Sequence, residues 1–284
     1  NILRVDSRNC TNYVAPYELV KTMRASFYML GPFLSRFGKA VVSLPGGCAW
    51  GPRPVDYHIK AFEKMGANIN LDGGNINALG PLNGAKITFE QVSVGATGNV
   101  VMGAVKAKGQ TIISNPSIEP EIEDLCNFLN SMGAEITGLG TKQLIIDGVS
   151  SMRSKVDYTI IPDRIEAGTF MMAAAISGGE LELTNVNPLH LSIIISKLEE
   201  SGSIIELNGN NSLKIVSSKK INPVDIVTAP YPGFPTDLQA QWMALMTKAS
   251  GVCTIIDEIY RDRFTHVSEL IRFGAKIKLN DNIA

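Results

Sequence analysis

A cysteine in a loop rich in glycine and proline is the first candidate for chemistry in this chain. Cys48 lies in residues 45–54, a run that contains three glycines and three prolines. This composition predicts a stiff, exposed loop. A thiol close to Arg53 could have a pKa below its usual value and act as an acid or, once deprotonated, as a nucleophile. The alternative is that Cys48 is a small packed side chain, since free cysteines are usually buried and inert.

A carboxylate after a proline-rich loop is the second candidate. Asp237 follows residues 228–236, a loop with the sequence TAPYPGFPT, and stands at the start of a predicted helix. In that position the carboxylate could act as a general base. Alternatively, Thr236 or Asp237 could do no more than cap the helix. The sequence alone leaves both possibilities open.

Three further features could bind an anion. Residues 91–95 (QVSVG) lie between a predicted strand and a predicted helix, where free amides can hold an anionic group. Ser93 could instead be an ordinary helix cap. Arg24 lies in a predicted helix and Arg164 in a Pro-Asp-Arg-Ile-Glu turn. A single arginine on a helix is more often solvated than bound to a ligand.

The elements that must position these residues form a repeat of about 70 residues, too long for the common solenoid repeats. Two sequence features mark each copy of the repeat. The first is a glycine between a predicted helix and a predicted strand, and the second is a Gly-Ala or Gly-Ser pair between another such helix and strand. The first set comprises Gly38, Gly109, Gly179 and Gly251, and the second set comprises Gly66, Gly133, Gly202 and Gly274.

The second copy shows the predicted unit most clearly. Hydrophobic periodicity predicts strands at 86–89 and 111–114, helices at 94–106 and 121–132, and a strand pair at 135–137 and 143–147. Such α/β units leave sheet and helix faces uncovered, so we expect the copies to pack on one another. Because residues 1–6 resemble the closing strand of a preceding unit, we expect the chain to be part of a longer protein.

Composition excludes several classes of partner. The net charge of −1 provides no basic surface for nucleic acid or anionic lipid. The four cysteines are scattered and the three histidines form no metal motif, so we expect no metal and a reducing, cytoplasmic environment. Apolar stretches are far shorter than the ~20 residues that span a bilayer.

Together these motifs resemble the enolpyruvyl transferase family. The matching strings occur in the family's order along the chain: LVKTMRAS, SLPGGCAWGPRPVDYH, VSVGAT, PDRIEAGTF, TAPYPGFPTDLQAQ and RFTHVSEL. The resemblance implies an α/β fold with two domains, an inside-out α/β barrel of six βαβαββ-like units, of which four are visible here. It places most of the first domain at 1–161 and part of the second at 162–284.

The resemblance also implies an activity. The PGGC loop and the RPVD turn favour family members that transfer the enolpyruvyl group of phosphoenolpyruvate to UDP-N-acetylglucosamine, an early step of peptidoglycan synthesis that fosfomycin inhibits. Cys48 would be the proton donor and Asp237 the candidate base. No cofactor is implied, and we expect a monomer. The implied substrate-binding residues are Arg24, Arg53, Pro54, Val55, Asp56, Tyr57, Gln91, Val92, Ser93, Val94, Gly95, Arg164, Asp237, Ile259 and Arg263.

Two departures and several alternatives accompany this interpretation. Gln91 stands where some members have a basic residue, and Tyr57 stands where an aliphatic residue is common. The alternatives are a shikimate-pathway enolpyruvyl transferase, an RNA 3′-phosphate cyclase and a homologue without catalytic activity. The few histidines and the net charge give the cyclase no support. We expect these 284 residues alone to be inactive, because the resemblance places phosphoenolpyruvate-binding residues outside them.

Overall fold

A computed structural model of the chain describes residues 6–44 and 55–284. Residues 1–5 and 45–54 lie outside the described residues, and with them Cys48, Arg53, Pro54 and most of the predicted N-terminal strand; of Arg24 only the backbone is described. The described chain divides into two compact units. Unit 1 comprises 6–44, 55–118 and 125–158, and unit 2 comprises 119–124 and 159–284. The domain boundary between 161 and 162 stays a prediction.

The first two copies of the repeat each form a four-stranded sheet. Copy 1 consists of β1 (Val14–Ala15), α1 (Tyr17–Val20), a 3₁₀ helix (Arg24–Met29), α2 (Leu30–Phe37), β2 (Lys39–Ser43), α3 (Asp56–Lys64), β3 (Asn68–Asp72) and β4 (Asn75–Leu79). Copy 2 consists of β5 (Lys86–Thr88), α4 (Val94–Ala104), β6 (Gln110–Ser114), α5 (Pro120–Ser131), β7 (Glu135–Thr137) and β8 (Gln143–Asp147).

Both sheets have one topology. The strand orders are β1-β2-β4-β3 and β5-β6-β8-β7, with the first pair parallel and the other two pairs antiparallel. A parallel pair needs a crossover, and helices α2 and α4 supply it. The predicted βαβαββ unit is therefore confirmed, with shifts of one or two residues at most element ends.

The third and fourth copies are less complete. Copy 3 consists of α6 (Arg164–Ser177), β9 (Glu180–Thr184), a 3₁₀ helix (Pro188–Leu191), α7 (Ser192–Glu200), β10 (Ile204–Leu207) and β11 (Ser212–Val216). Copy 4 consists of β12 (Ile226–Val227), a 3₁₀ helix (Thr236–Leu238), α8 (Gln239–Met246), β13 (Ile255–Ile256) and α9 (Val267–Arg272). Strands β9, β11 and β10 are antiparallel, whereas β12 and β13 pair in parallel.

The periodic glycines have a conformational cause. Gly66, Gly133, Gly202 and Gly274 all adopt φ between 93° and 105°. Only glycine reaches this region without steric cost, so each helix can end there and the chain can turn back. The other set of markers is less uniform. Gly38 and Gly109 also have positive φ, but in the third copy Gly178, with φ of 76°, closes the helix instead of Gly179.

The apolar faces of the helices pack on the sheets. On α5, Ile122 and Leu129 are buried, and Cys126 between them is fully buried, which makes it a packed core residue. In unit 2 the core is centred on the fully buried Trp242 and Met171. None of the helices described for 6–44 and 55–284 combines the length and apolar character that crossing a membrane requires.

Candidate active site

In unit 1 the first turns of helices α3 and α4 lie side by side. A Cβ built on Gly95 of α4 would be 3.4 Å from Cε1 of His58 on α3. The structure thereby brings together two segments that the sequence predicts to bind the same ligand, residues 55–57 and residues 91–95. A Cβ at this distance would be in ordinary van der Waals contact with the His58 ring, so the two helices approach closely here.

A cavity of about 390 Å³ lies beside these two segments. The ring of Tyr57 meets the ring of Phe89 edge-on, with centroids 5.9 Å apart. The aromatic pair forms one wall of the cavity, and charged side chains of α3 contribute to the lining. The lining residues are Tyr57, Lys60, Ala61, Glu63, Lys64, Ile87, Thr88, Phe89 and Glu90.

Asp56 begins helix α3 and has one oxygen available for a ligand. Its Oδ2 accepts a hydrogen bond from Lys60 Nζ at 3.3 Å. Its Oδ1 is buried and has no hydrogen-bond partner in the described part of the chain. An unpaired buried carboxylate oxygen is costly, so a hydrogen-bond donor supplied by a ligand would relieve an existing penalty.

Ser93 caps helix α4. Its side-chain oxygen accepts a hydrogen bond from the amide of Ala96 at 3.2 Å, so the capping role proposed as the alternative is present. Capping does not exclude a second function for this turn. The amides of Val94 and Gly95, in the first turn, have no carbonyl partner within the helix. They remain suited to an anionic ligand.

Asn99 links the elements that carry these segments. Its side chain is fully buried in the middle of α4. The side-chain oxygen accepts from the amide of Gly31 at 2.7 Å, and the side-chain nitrogen lies 3.1 Å from the carbonyl of Phe27 and 3.0 Å from Nδ1 of His58. One side chain therefore fixes α4 against α2, the 3₁₀ helix and α3. In the sequence, Asn99 stands out only as a polar residue within an apolar predicted helix.

We expect Asn99→Ala to destabilise the protein and loosen the first turns of α3 and α4. Each buried polar group left unpaired costs about 1–3 kcal/mol. Urea unfolding should show a fall of at least this size in the free energy of unfolding. Asn127→Ala, at an exposed position of α5, is the matched control and should have little effect. Equal stability of the two variants would contradict the role of Asn99.

In unit 2 the parallel pair β12 and β13 places two polar side chains at one sheet edge. Thr228 follows β12 and Asp257 follows β13, and their side chains form a buried hydrogen bond of 2.8 Å. The loop after Thr228 is closed by a hydrogen bond from the amide of Ala229 to the carbonyl of Phe234 at 2.9 Å. This loop leads directly into the 3₁₀ helix that contains Asp237.

Neither Thr236 nor Asp237 caps a helix. The 3₁₀ helix has Pro235 at its N-cap, and no side chain caps it or the following helix α8. Asp237 Oδ1 instead accepts a hydrogen bond from Arg263 Nη1 at 2.8 Å. Thr236 Oγ1 donates to Asp257 Oδ2 at 2.7 Å. The structure thus brings together Asp237 and Arg263, two residues that the sequence predicts at the same site.

Ile259 belongs to the same corner of unit 2. Its amide donates to Asp257 Oδ1 at 3.0 Å, and its side chain is 37% exposed. The loop that contains Ile259 therefore depends on the same buried carboxylate as Thr236. Because Ile259 is exposed and apolar, its side chain can contact a ligand without losing a packing role in the core.

Arg164 lies in a further ionic cluster of unit 2, in which the pKa of Glu119 also responds to the charge of Asp237. Its guanidinium contacts Glu119 at 2.6 Å and Glu121 at 3.0 Å, and its charge lies 5.4 Å from the ring centre of Tyr231. Burial raises the pKa of Glu119, and the charge of Arg164 opposes this shift. Because two carboxylates already occupy the guanidinium, its role in substrate binding stays a prediction.

His266, near Arg263, is expected to make the stability of the protein depend on pH. Burial and the charge of Arg263 lower the pKa of His266, and its Nε2 has no partner in the described part of the chain. The unfolded chain binds a proton more readily than the folded chain, so the free energy of unfolding should fall as the pH drops below 6.5.

The test of this dependence compares wild type with His266→Phe, which keeps an aromatic ring next to Phe264 but cannot be protonated. Urea unfolding at about pH 7.5 and about pH 5.5 should show a smaller loss of stability in the variant than in wild type. An identical loss in both proteins would assign the pH dependence to other groups.

Comparison with known proteins identifies the family. Residues 2–284 match the family model described as EPSP synthase (3-phosphoshikimate 1-carboxyvinyltransferase). The chain belongs to the EPSP synthase family. The curated relatives include family members named UDP-N-acetylglucosamine 1-carboxyvinyltransferase. The one from Chlorobium limicola is 53% identical over all of this chain and 67% of its own length, and the one from Aliarcobacter butzleri is 50% identical over 68% of its length.

Two solved structures share the fold. The enolpyruvyl transferase NikO from Streptomyces tendae matches with a TM-score of 0.82 at 23% identity, covering 94% of this chain and 64% of that protein. An EPSP synthase from Acinetobacter baumannii matches with a TM-score of 0.64 at 19% identity, covering 93% of this chain and 63% of that protein. The sequence-based assignment to this α/β fold is confirmed. The chain spans about two thirds of the length of these family members.

Proposed function

We propose that the protein containing this chain transfers the enolpyruvyl group of phosphoenolpyruvate to the 3′-hydroxyl of UDP-N-acetylglucosamine and releases phosphate. The main support is 50–53% identity, over the whole chain, to relatives that carry the name of this activity. In a bacterial cell the reaction would commit a sugar nucleotide to peptidoglycan synthesis in the cytoplasm and so contribute to cell shape and division.

The proposed chemistry is an addition followed by an elimination. A proton is added to the methylene carbon of phosphoenolpyruvate, and the acceptor hydroxyl adds to the adjacent carbon and loses its proton to a base. The tetrahedral intermediate then loses a proton from the new methyl group and expels phosphate, which regenerates the double bond. We assign Cys48, which lies outside the described residues, as the proton donor and Asp237 as the base.

The first turns of α3 and α4 support a nucleotide site in unit 1. Within the described residues Asp56 Oδ1 has no hydrogen-bond partner, and it could accept a hydrogen bond from the uracil ring or ribose. The edge of Tyr57 can pack against a base in place of the aliphatic residue that is common in the family. The amides of Val94 and Gly95 could bind the diphosphate, which reduces the need for a basic side chain at Gln91.

The pair of Asp237 and Arg263 supports the role of the base. The side chain of Asp237 is 57% exposed and can reach a substrate, whereas that of Arg263 is 13% exposed and held in place. Because Arg263 bonds one oxygen of the carboxylate, we assign the second oxygen to the acceptor hydroxyl. We also propose that Arg24 and Arg53 contact the phosphate groups, because guanidinium groups suit phosphoryl oxygens.

A shikimate-pathway activity is the second candidate, since the family model has the name of that enzyme. Phosphate release from phosphoenolpyruvate by the full-length protein, measured with each acceptor in turn, separates the two candidates. We expect turnover with UDP-N-acetylglucosamine and none above background with shikimate 3-phosphate. The opposite preference would overturn the proposal. No turnover with either acceptor would favour a homologue without catalytic activity.

A further inference from the structure

A buried carboxylate, that of Asp257, is hydrogen-bonded to the loops that contain the proposed base and its arginine partner. Asp257 is fully buried, yet its two oxygens receive four hydrogen bonds. A carboxyl group is retained in the interior only when its oxygens are hydrogen-bonded, and here these hydrogen bonds connect two loops of the candidate site. We propose that Asp257 is a positioning residue, which aligns Asp237 for catalysis through Thr236 and Arg263.

The two oxygens of Asp257 have different partners. Oδ1 accepts from Thr228 Oγ1 at 2.8 Å and from the amides of Ile259 and Tyr260 at 3.0 and 2.8 Å. These bonds shape the loop that leads to Arg263. Oδ2 accepts from Thr236 Oγ1 at 2.7 Å. One carboxylate thereby holds the loop of Arg263 and the turn of Asp237 in a fixed relation.

The hydroxyl of Thr236 connects Asp257 to the arginine that holds the proposed base. A threonine hydroxyl has one proton, and here that proton is donated to Asp257. The lone pairs of Oγ1 are therefore free to accept from Arg263 Nη1, which lies 3.2 Å away. The same Nη1 donates to Asp237 Oδ1 at 2.8 Å. The direction of the Thr236 hydroxyl thus helps to fix the guanidinium that holds the base.

Asp257 itself is anchored from a third segment. The side-chain nitrogen of Asn282 donates to the backbone carbonyl of Asp257 at 3.1 Å, and the amide of Asp257 donates to the carbonyl of Asn282 at 3.0 Å. The carboxylate can therefore impose a position on Thr236 instead of following it. An arrangement anchored in this way is what the alignment of a catalytic group requires.

This inference rests on the proposed function and is tested in the full-length protein. Thr236→Val keeps the shape of the side chain and removes the hydroxyl. We expect kcat to fall about 10- to 100-fold, because small displacements of a catalytic group carry such costs. KM for UDP-N-acetylglucosamine should change less than about twofold, since the proposed nucleotide contacts are made elsewhere. Thr236→Ser should restore most of the turnover.

A double-mutant cycle separates positioning from general stability. If Thr236 acts through Asp237, Thr236→Val should cost less than about twofold in kcat once Asp237 is already asparagine. The same factor in both backgrounds would overturn the inference. Thr247→Val, at the exposed position that directly follows α8, controls for the loss of a hydroxyl in the same unit.

A second variant covers the case in which Thr236→Val does not fold. In Asp257→Asn, the amide would donate to Thr236 Oγ1, where it would compete with Arg263, and the hydroxyl proton of Thr236 would lose its acceptor. We expect the same fall in kcat with an unchanged KM. Wild-type kcat in Asp257→Asn, or a rise in both KM values without a change in kcat, would overturn the inference. An inactive wild-type protein would count against the proposed function instead.

Discussion

Asp237→Asn is expected to lower kcat by about 10²–10⁴-fold, the range that general acid–base catalysis contributes. The amide keeps the shape of the carboxylate and an oxygen that can accept from Arg263. It cannot accept the proton of the acceptor hydroxyl. Binding of UDP-N-acetylglucosamine should weaken much less, because we assign the uracil and diphosphate contacts to α3 and α4. Steady-state kinetics and calorimetric titration of the full-length protein measure both quantities.

Asp262→Asn is the matched control for this substitution. Asp262 lies in the loop next to Arg263 and is exposed, so its loss should change neither kcat nor binding beyond about twofold. If Asp237→Asn behaves like Asp262→Asn, the base is another group and Asp237 has only a structural role. The structure already removes one such role, since Asp237 caps no helix.

Cys48→Ser is expected to cause a loss of similar size, about 10²–10⁴-fold in kcat. Serine keeps the shape of cysteine, but its hydroxyl is a far weaker acid than a thiol and donates a proton less readily. Cys10→Ser is the control, because Cys10 is exposed and belongs to no proposed site. Turnover of Cys48→Ser within a few-fold of wild type would remove Cys48 from the mechanism.

Chemical labelling provides an independent test of Cys48. Fosfomycin is expected to modify Cys48 alone, as the resemblance to family members that act on UDP-N-acetylglucosamine implies. Cys126 is fully buried, and burial together with Asp225 raises the pKa of Cys253, so both thiols should stay unmodified in the folded protein. Iodoacetamide should label Cys48 and the exposed Cys10. Peptide mapping that finds fosfomycin on Cys10 would contradict the assignment.

The fold was largely predictable because its signals are local. A glycine such as Gly133 marks a helix end that only positive φ permits, and the marker recurs in every copy. Alternating and helical hydrophobic patterns located the strands and helices of the second copy to within about two residues. Copies 3 and 4 were harder to predict, since strands such as β12 and β13 have only two residues and carry no periodicity.

Residues of the site were predictable only where they belong to a recognisable sequence motif. Asp237 and Arg263 were found through motifs, but their hydrogen bond joins loops that are distant in sequence. Asn99 and Asp257 were missed, because a buried polar residue reveals its partners only in three dimensions. Thr236 was considered as a helix cap on local grounds, and tertiary contacts direct its hydroxyl to Asp257 instead.

The most direct test of the central claim is proton NMR of the product formed from phosphoenolpyruvate and UDP-N-acetylglucosamine in deuterated water by the full-length protein. The proposed addition and elimination predict a vinyl ether at the 3′ position of the sugar, with solvent deuterium in its methylene group. A product joined at another position, a vinyl group without deuterium, or no product from this acceptor would contradict the account.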